Sequence, residues 1–400
     1  MKKFEGLLFY IFYFLFFAAL SGFTTYINVY LESKGLVGSQ FGQITAAGLM
    51  ISVFFVPLWG IIADKTKKYK LLLLISLSAT LVALYFYAQQ TVYIGLIVCA
   101  IILDLCRSGA MPMADVLSMN YCNKNHKNYG SIRSMGSLGW VIGSVLIGFL
   151  ADRFGLDGAL FGTYGGLLII SFTIAFGFPT AKADPKKQAV EVPDAPKEKV
   201  GFFDVLKNSN FLFILGLSLM TTILIDSCAA YNGNHIVTTL HGSNQLLSMY
   251  TVATALPEVI FLAVAIKYYE KFGFKMMYLI SASCIFIRFL VYAFVPNVYA
   301  FLFVSILHCV STACATVGNL QFIRSSLSPA VFATAVTLLN ACVSLGRAVY
   351  SYGFGIVYEE FGSFTIYRIG AIIACLAILW VIKTKHFDHM KGFKITTADK

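Results

Sequence analysis

A long apolar stretch lies near the start of the sequence: residues 7–31 read LLFYIFYFLFFAALSGFTTYINVYL. It contains no acidic or basic side chain. A helix of this length, rising about 1.5 Å per residue, can cross about 30 Å of hydrocarbon. It has no small-residue cleavage site of the kind that ends a signal peptide, so we expect it to remain as a membrane helix. This stretch therefore predicts a membrane protein.

Eleven more apolar stretches follow, mostly after short loops. The composition agrees, because 58% of the 400 residues are hydrophobic and only 12% are charged, too few for a surface exposed to water. We therefore predict an all-α membrane protein with twelve transmembrane helices. The predicted spans are 7–31, 41–62, 71–89, 92–120, 129–151, 157–178, 210–240, 246–266, 276–295, 298–323, 330–358 and 363–382.

One polar segment divides these spans into six plus six. Residues 179–205 combine prolines with many charges, which is typical of a flexible linker. The predicted domains are an N-terminal six-helix bundle over residues 1–178, this cytoplasmic linker, and a C-terminal six-helix bundle over residues 206–385. A cytoplasmic tail over residues 386–400 completes the chain.

The basic residues predict the orientation. Most of the 30 lysines and arginines lie in segments on the same side as the N-terminus, so both termini are expected in the cytoplasm. The net charge of +11 is then explained by anionic lipid rather than by nucleic acid. The nine cysteines form no C-x-x-C pair and favour neither disulfides nor a zinc site. Short loops favour a bacterial inner membrane.

An acidic residue recurs after every third predicted helix, counting from the second. It is Asp64 in GIIADK, Asp152 in GFLADRFG, Glu270 in EKFG and Glu359 in GIVYEEFG. The spacing from Asp64 to Asp152 nearly equals that from Glu270 to Glu359. Four three-helix units follow, and adjacent units begin on opposite membrane faces. Inverted repeats of this kind are typical of rocking transporters.

The residues around the first of these acids resemble a known signature. Gly60, Asp64, Lys65 and Lys68 are similar to the helix 2–3 loop of the major facilitator superfamily, although its usual second glycine is Lys67 here. The resemblance implies the major facilitator fold, with two six-helix bundles around a central cavity. It also implies that Gly60, Asp64 and Lys65 contribute to gating. Alternatively, these loop charges only set the topology.

Two ionisable residues of the N-terminal half are expected to meet. Asp115 and Arg133 lie equally far from the middle of a helical hairpin near Lys124, so they share a depth in the membrane. Trp140 follows Arg133 by about two helical turns and lies on the same face. Such a set offers hydrogen bonds to sugar hydroxyls and a flat ring to a pyranose. A structural ion pair beside an interfacial tryptophan is the alternative.

The segments around these residues narrow the resemblance. Residues 109–115 (GAMPMAD) and 129–140 (YGSIRSMGSLGW) are similar to helices 4 and 5 of the lactose permease group of oligosaccharide–proton symporters. The resemblance implies that Asp115, Arg133 and Trp140 bind a sugar. It further implies proton-coupled symport of an oligosaccharide or related glycoside by alternating access. A nucleoside:proton symporter, or an exporter of small amphipathic compounds, remains open on the same fold.

Other polar and aromatic residues of the N-terminal half receive structural interpretations. Asp104 and Arg107 are spaced to neutralise each other on one helix, although Asp104 could also extend a polar path. Gly136, Gly139 and Gly143 would let another helix approach closely. The aromatic run over residues 9–17 is interpreted as lipid contact and interfacial anchoring, and stacking against a sugar is the alternative.

The C-terminal half contains the candidates for proton coupling. Arg288 and His308 lie at comparable depth on either side of a short turn, and the His308 segment resembles helix 10 of the lactose permease group. The coupling carboxylate of that group falls on Ser311. We therefore expect Glu258 or Asp226 to carry the proton together with His308 and Arg288. Glu258 and Asn232 are also substrate-binding candidates, and sodium coupling remains open.

The remaining motifs exclude other classes of function. The sequence has no G-x-S-x-G, H-E-x-x-H or ATP-binding P-loop pattern, so we predict a transporter rather than an enzyme. No metal or cofactor is expected. The expected partners are a small molecule (a sugar in our interpretation), protons and the lipid bilayer, but no nucleic acid. The protein is expected to act as a monomer.

Overall fold

The computed structural model describes residues 2–179, 205–327 and 332–384, where the regular secondary structure is helical throughout. Two π-helical turns, Leu219–Ile223 and His235–Thr239, lie directly before and after the helix Leu224–Asn234. The helices are α1 (Lys2–Ser33), α2 (Gly38–Thr66), α3 (Tyr69–Ala88), α4 (Tyr93–Arg107), α5 (Ala110–Asn125), α6 (Tyr129–Phe154), α7 (Leu156–Phe176), α8 (Ser209–Ser218), α9 (Leu224–Asn234), α10 (Asn244–Phe294), α11 (Val298–Ser305), α12 (Leu307–Ser326), α13 (Phe332–Phe361) and α14 (Ser363–Lys383).

The predicted spans agree with these helices. Ten helical segments of the described chain are long and apolar enough to cross a membrane. The other two predicted spans, 246–266 and 330–358, lie in α10 and α13, except that residues 330 and 331 fall outside the described ranges. Three predicted spans are each made of consecutive helices: α4 with α5, α8 with α9, and α11 with α12. The all-helical, twelve-span prediction is confirmed.

The chain forms two compact units. The first comprises Met1–Ala189, Ala230–Val252 and Ser351–Glu359, and the second comprises Val190–Ala229, Ala253–Tyr350 and Glu360–Lys400. In the first unit α1 packs against α6 and α7, and α3 packs against α4, α5 and α7. In the second unit Phe211 and Ile214 of α8 share a buried cluster with Tyr278 of α10 and Phe322 of α12. The domain boundaries at residues 178 and 206 stay a prediction.

Glycines bring α1 and α6 into close contact. A Cβ atom at Gly139 would lie only 2.8 Å from the carbonyl carbon of Phe14, and one at Gly143 would overlap the backbone of Ala18. The expectation that these glycines allow a close helix approach is confirmed. The contact matters for the site described below, because it fixes the position of the α1 side chains that face α6.

The repeated acidic residues coincide with a repeated backbone turn. The residue three positions after each acid has a positive φ angle: 55° at Lys67, 87° at Gly155, 72° at Gly273 and 76° at Gly362. Glycine adopts such angles readily because it has no Cβ atom. At Gly273 the turn separates the two helical parts of α10, where the sequence predicted a break between 266 and 276. The sequence repeat is therefore also a repeat of local geometry.

Lys67 is the one non-glycine residue among these four positions, and its left-handed conformation is strained. Replacing Lys67 with glycine should raise the free energy of unfolding by about 0.5–1 kcal/mol, because the side chain loses only an exposed ion pair with Asp64. Gly362→Ala should lower it by about 1–3 kcal/mol from backbone strain alone, since open space surrounds a Cβ there. Thermal unfolding in detergent measures both. Shifts of the same sign in both variants would contradict this account.

The α1–α6 contact can be tested with one added methyl group. Gly143→Ala should destabilise the protein by about 1–3 kcal/mol, because the new Cβ atom overlaps the Ala18 backbone. Gly162→Ala on α7 is the matched control. Nothing lies within 4 Å of a Cβ atom at that position, so the change should be neutral or slightly stabilising. Equal melting temperatures for the two variants would show that α1 and α6 are not in close contact.

Candidate functional site

Asp115 on α5 is the centre of a polar cluster in the first unit. Its Oδ1 atom accepts hydrogen bonds from the hydroxyls of Tyr13 on α1, at 2.6 Å, and Tyr129 on α6, at 2.7 Å. The Tyr13 hydroxyl also lies 2.9 Å from that of Ser118. Three helices thus hold the carboxylate, and Oδ2 has no protein donor among the described residues. That oxygen is available to accept a hydrogen bond from a ligand.

Arg133 lies next to this cluster but does not join it as predicted. Its Cζ atom is 4.3 Å from the centre of the Phe17 ring on α1, a cation–π contact. Within the described chain it forms no ion pair with Asp115, since Tyr13 and Tyr129 already bind that carboxylate. The guanidinium and the carboxylate are therefore two separate polar groups along the same α1 surface.

Trp140 completes the set. Its ring centre lies 6.5 Å from that of Phe17, and the Tyr13 ring is stacked on Phe17 with the ring centres 6.3 Å apart. Arg133 and Trp140 thus both lie beside Phe17, as their shared helix face predicted. All three side chains are partly exposed. The first unit therefore presents a carboxylate, a guanidinium and two aromatic rings that are each partly exposed.

The aromatic run of α1 had been assigned to lipid, and this interpretation is wrong for most of it. Phe9, Phe12 and Tyr13 are fully buried, and Phe16 is 3% exposed. They pack against α5, α6 and the end of α7. Sequence reasoning considered Tyr13 and Phe17 only as members of a run that could stack on a sugar, and it missed Tyr129 as a functional candidate. The signal that favours the stacking alternative is the concentration of aromatics on the helix that the α6 glycines contact.

In the second unit, Arg288 and His308 are brought together as predicted. The Nη1 atom of Arg288 lies 3.2 Å from Nδ1 of His308, and 3.5 Å from the hydroxyl of Ser311, to which it donates. Arg288 is 1% exposed, so its charge is held inside the protein. Thr312 lies 3.4 Å from the other ring nitrogen of His308. Ser311 thus belongs to the network although it lacks the carboxylate that the resemblance implied there.

The two candidate carboxylates of the second unit have different environments. Asp226 forms an ion pair with Arg347 on α13, with Nε and Oδ2 3.4 Å apart, rather than with Arg288. Glu258 on α10 is partly exposed and lies within electrostatic reach of Asp226 and Cys309. In the described part of the chain no cation is within ion-pairing distance of Glu258. Of the two, Glu258 is the carboxylate without a fixed partner.

Asn232 belongs to the first unit and is 2% exposed. Its side-chain amide donates to the hydroxyl of Tyr250 at 2.6 Å, which joins α9 to α10. A contact between two helices accounts for this arrangement without a substrate. The predicted role of Asn232 in substrate binding stays a prediction.

The predicted gating residues form local contacts at the α2–α3 turn. Asp64 accepts a hydrogen bond from the Tyr69 hydroxyl at 3.0 Å and lies 3.8 Å from the ammonium of Lys67. Lys65 is exposed. A Cβ atom at Gly60 would meet nothing within 4 Å, so no helix approaches it closely here. The gating role of Gly60, Asp64 and Lys65 stays a prediction.

A second carboxylate network, also in the first unit, joins residues from the N-terminal and the C-terminal halves of the sequence. Glu32 at the end of α1 accepts hydrogen bonds, each of 2.7 Å, from Tyr358, Asn234 and Thr238. Two of the four repeat acids, Asp152 and Glu359, accept hydrogen bonds at helix N-termini. Asp152 accepts from the backbone of Asn244 and Gln245 at 2.9 Å, and Glu359 from that of Ser39 at 3.0 Å. Carboxylates are favoured there by the unpaired N–H groups and the helix dipole.

A charged contact also lies at the end of α1, just outside the membrane span. Lys34 forms an ion pair with Asp157 at the start of α7. The hydrogen bond that it donates raises the pKa of the Lys34 ammonium. The sequence predicts Lys34 in an outer loop and Asp157 at the start of a span, but it does not reveal that they pair.

The order of helices, the repeated acidic turns and the polar groups inside the spans define a transporter of the major facilitator class. Residues 7–369 match the MFS_1 like family, and the chain belongs to that family. It is therefore a multi-pass membrane protein that moves a small-molecule substrate, and not an enzyme.

Relatives and solved structures agree with this assignment. The chain is 26% identical over 341 residues to a maltose permease of Geobacillus stearothermophilus, covering 83% of this chain and 82% of the relative. It is 23% identical over 389 residues to a sucrose permease of Escherichia coli, covering 92% and 91%. The crystal structure of the nucleoside transporter NupG superposes with a TM-score of 0.83 at 17% identity, covering 95% of this chain and all of that one. That likeness confirms the fold.

Proposed function

We propose that the protein is a proton-coupled symporter that imports an oligosaccharide or related glycoside by alternating access. The observation that carries the proposal is that Arg133 and Trp140 both lie beside the Phe17 ring, near Asp115. The maltose and sucrose permeases among its relatives support a sugar as the substrate.

The chemistry of this arrangement suits a neutral sugar. Oδ2 of Asp115 can accept hydrogen bonds from hydroxyls, and the guanidinium of Arg133 can donate several to them. The rings of Phe17 and Trp140 can pack against the apolar face of a pyranose. The tyrosine hydroxyls on Oδ1 of Asp115 hold the carboxylate in one orientation before the sugar arrives, which lowers the entropy lost on binding.

Proton coupling is proposed to reside in the second unit. Among the residues that the structure describes, Glu258 has no cation within ion-pairing distance, whereas Asp226 is already paired with Arg347. A carboxylate without a cationic partner can bind and release a proton without first breaking an ion pair. We therefore assign the proton to Glu258. His308 and Arg288 form the neighbouring polar network and respond to its charge.

The remaining assignments follow from the same reasoning. The basic residues of the loops favour a cytoplasmic location for both termini, and bacterial relatives favour a bacterial inner membrane. We also propose that the protein acts as a monomer. A nucleoside is the second candidate substrate, because Phe17 and Trp140 could also stack on a base and the fold is that of NupG.

Uptake into proteoliposomes tests the substrate. Under an imposed inward proton gradient, wild-type protein should accumulate a disaccharide such as maltose or sucrose but not a nucleoside. Trp140→Ala should weaken apparent affinity about tenfold, since lost ring packing is worth about 1 kcal/mol or slightly more. Trp380→Phe on α14, whose ring packs against Phe213 in the second unit, is the control and should leave uptake unchanged. Accumulation of nucleosides but no glycoside would overturn the proposal.

The coupling assignment is tested by separating accumulation from exchange. Glu258→Gln should lose accumulation driven by the pH gradient, by at least about tenfold, yet retain exchange of labelled sugar at equal pH, because only the proton step is removed. Asp226→Asn is the comparison variant, and its accumulation ratio should be retained because Asp226 is already bound to Arg347. Full accumulation by Glu258→Gln would exclude Glu258 as the proton carrier.

A further inference from the structure

A cavity with a mixed apolar and polar wall lies in the first unit, apart from the Asp115 cluster. Its volume is ≈ 210 Å³, and α1, α2, α3 and α4 provide nearly all of its wall. Asp115, Arg133, Phe17 and Trp140 do not line it. The side chains with polar groups that do are Thr24, Asn28, Thr45, Ser52, Tyr87, Asp104 and Arg107. An ionisable pair in the wall of a cavity inside a membrane-spanning bundle favours an occupant that can form hydrogen bonds.

The charges of the cavity cancel. Asp104 and Arg107 form the ion pair that their spacing predicted, and each side chain is only about one-fifth exposed, at 18% and 21%. Gly48 on α2 makes room for the carboxylate, because a Cβ atom there would overlap it. The pair adds no net charge, so a charged solute would be attracted by one member of the pair and repelled by the other. A neutral solute with both donors and acceptors is favoured.

Two buried donors at the cavity wall have no partner among the described residues. They are the Nη1 group of Arg107 and the hydroxyl of Tyr87. Tyr87 is 1% exposed, and both side chains line the cavity. Buried polar groups in proteins nearly always have a hydrogen-bond partner, so these donors indicate that an acceptor belongs here. A hydroxyl group is such an acceptor, and it can donate in turn.

The wall also offers acceptors and an apolar face. The hydroxyls of Thr24 and Ser52 donate to carbonyls of their own helices, at 2.9 and 3.2 Å, and their lone pairs can still accept. Phe23 lines the cavity and is held by stacking on Tyr164, with ring centres 4.6 Å apart. Donors, acceptors and a fixed aromatic ring around a neutral pair are the groups that a sugar ring requires.

We propose that this cavity is a second binding site for a neutral polyhydroxylated solute, namely one hexose unit of the transported sugar. The inference rests on the proposed function, since it takes the substrate to be a carbohydrate. Asp104 precedes Asp115 by about three helical turns along α4 and α5, so the two sites are separate stations for sugar in the first unit. Tyr87, Asp104 and Arg107 bind the solute directly.

Binding stoichiometry tests the proposal on the full-length protein in detergent, with radiolabelled maltose as the probe. Wild-type protein should bind two equivalents. Asp115→Asn should still bind one equivalent, at the cavity site. The double variant Asp104→Asn with Arg107→Gln removes both charges together and should still bind one equivalent, at the Asp115 site. Tyr87→Phe, which deletes only one hydroxyl, should weaken the cavity site at least threefold. Tyr85→Phe, an exposed change on the same helix, should have no effect.

Each outcome separates this inference from the proposed function. One equivalent in the wild type, lost in Asp115→Asn and unaffected by Tyr87→Phe and the double variant, would mean that the cavity holds only water. The inference would then fail while the proposed function stands. No maltose binding by wild-type protein, with or without nucleoside binding, would overturn both. Loss of one equivalent in each of Asp115→Asn and the double variant, with weakening in Tyr87→Phe, would support both.

Discussion

The close approach of α1 to α6 is the constraint on which the candidate sugar site depends. The backbones of Phe14 and Ala18 lie where side chains at Gly139 and Gly143 would otherwise be. Only at this separation does Phe17 contact both Arg133 and Trp140. Larger residues at the two glycines would move α1 outward, and the guanidinium would lose the ring that holds it. A packing requirement thus determines the chemistry of the site.

The ionisable groups inside the spans follow a second constraint. A charge in hydrocarbon is costly, so such groups usually bind a partner or face a polar cavity. Asp104 is paired with Arg107, and Asp226 with Arg347. Glu258 differs, because no cation is near it in the described chain. The Asp104–Arg107 pair lies within α4 and the Asp226–Arg347 pair joins α9 to α13, whereas a carboxylate without a fixed partner remains able to exchange a proton. This contrast separates structural charges from the proposed coupling group.

The sequence revealed what depends on local spacing. The spans followed from apolar runs, and the Asp104–Arg107 pair followed from its separation along one helix. The acidic repeats marked four turns with positive φ, including the one at Lys67. Contacts between helices that are far apart in the sequence were harder to predict. The partner of Asp226 lies on α13, far along the chain, and no local pattern identifies Arg347 as that partner.

The Asp115 cluster illustrates the same limit. Because Asp115 and Arg133 lie at equal depth in a helical hairpin, the sequence correctly predicted that they lie near one another. It could not reveal that side chains of α1 contact both residues. Tyr13 binds the carboxylate and Phe17 the guanidinium, so the expected ion pair does not form. The aromatic run on α1 gave no sign of which neighbours it would meet, because lipid and protein interiors favour the same residues.

The most direct measurement follows the fluorescence of Trp140 during titration with sugars. The chain has three tryptophans, so Trp59→Phe with Trp380→Phe leaves Trp140 as the only reporter. The account predicts that a disaccharide changes this emission saturably, that Asp115→Asn abolishes the change, and that a nucleoside causes none. Saturable changes with nucleosides alone, or a sugar response unaffected by Asp115→Asn, would contradict it.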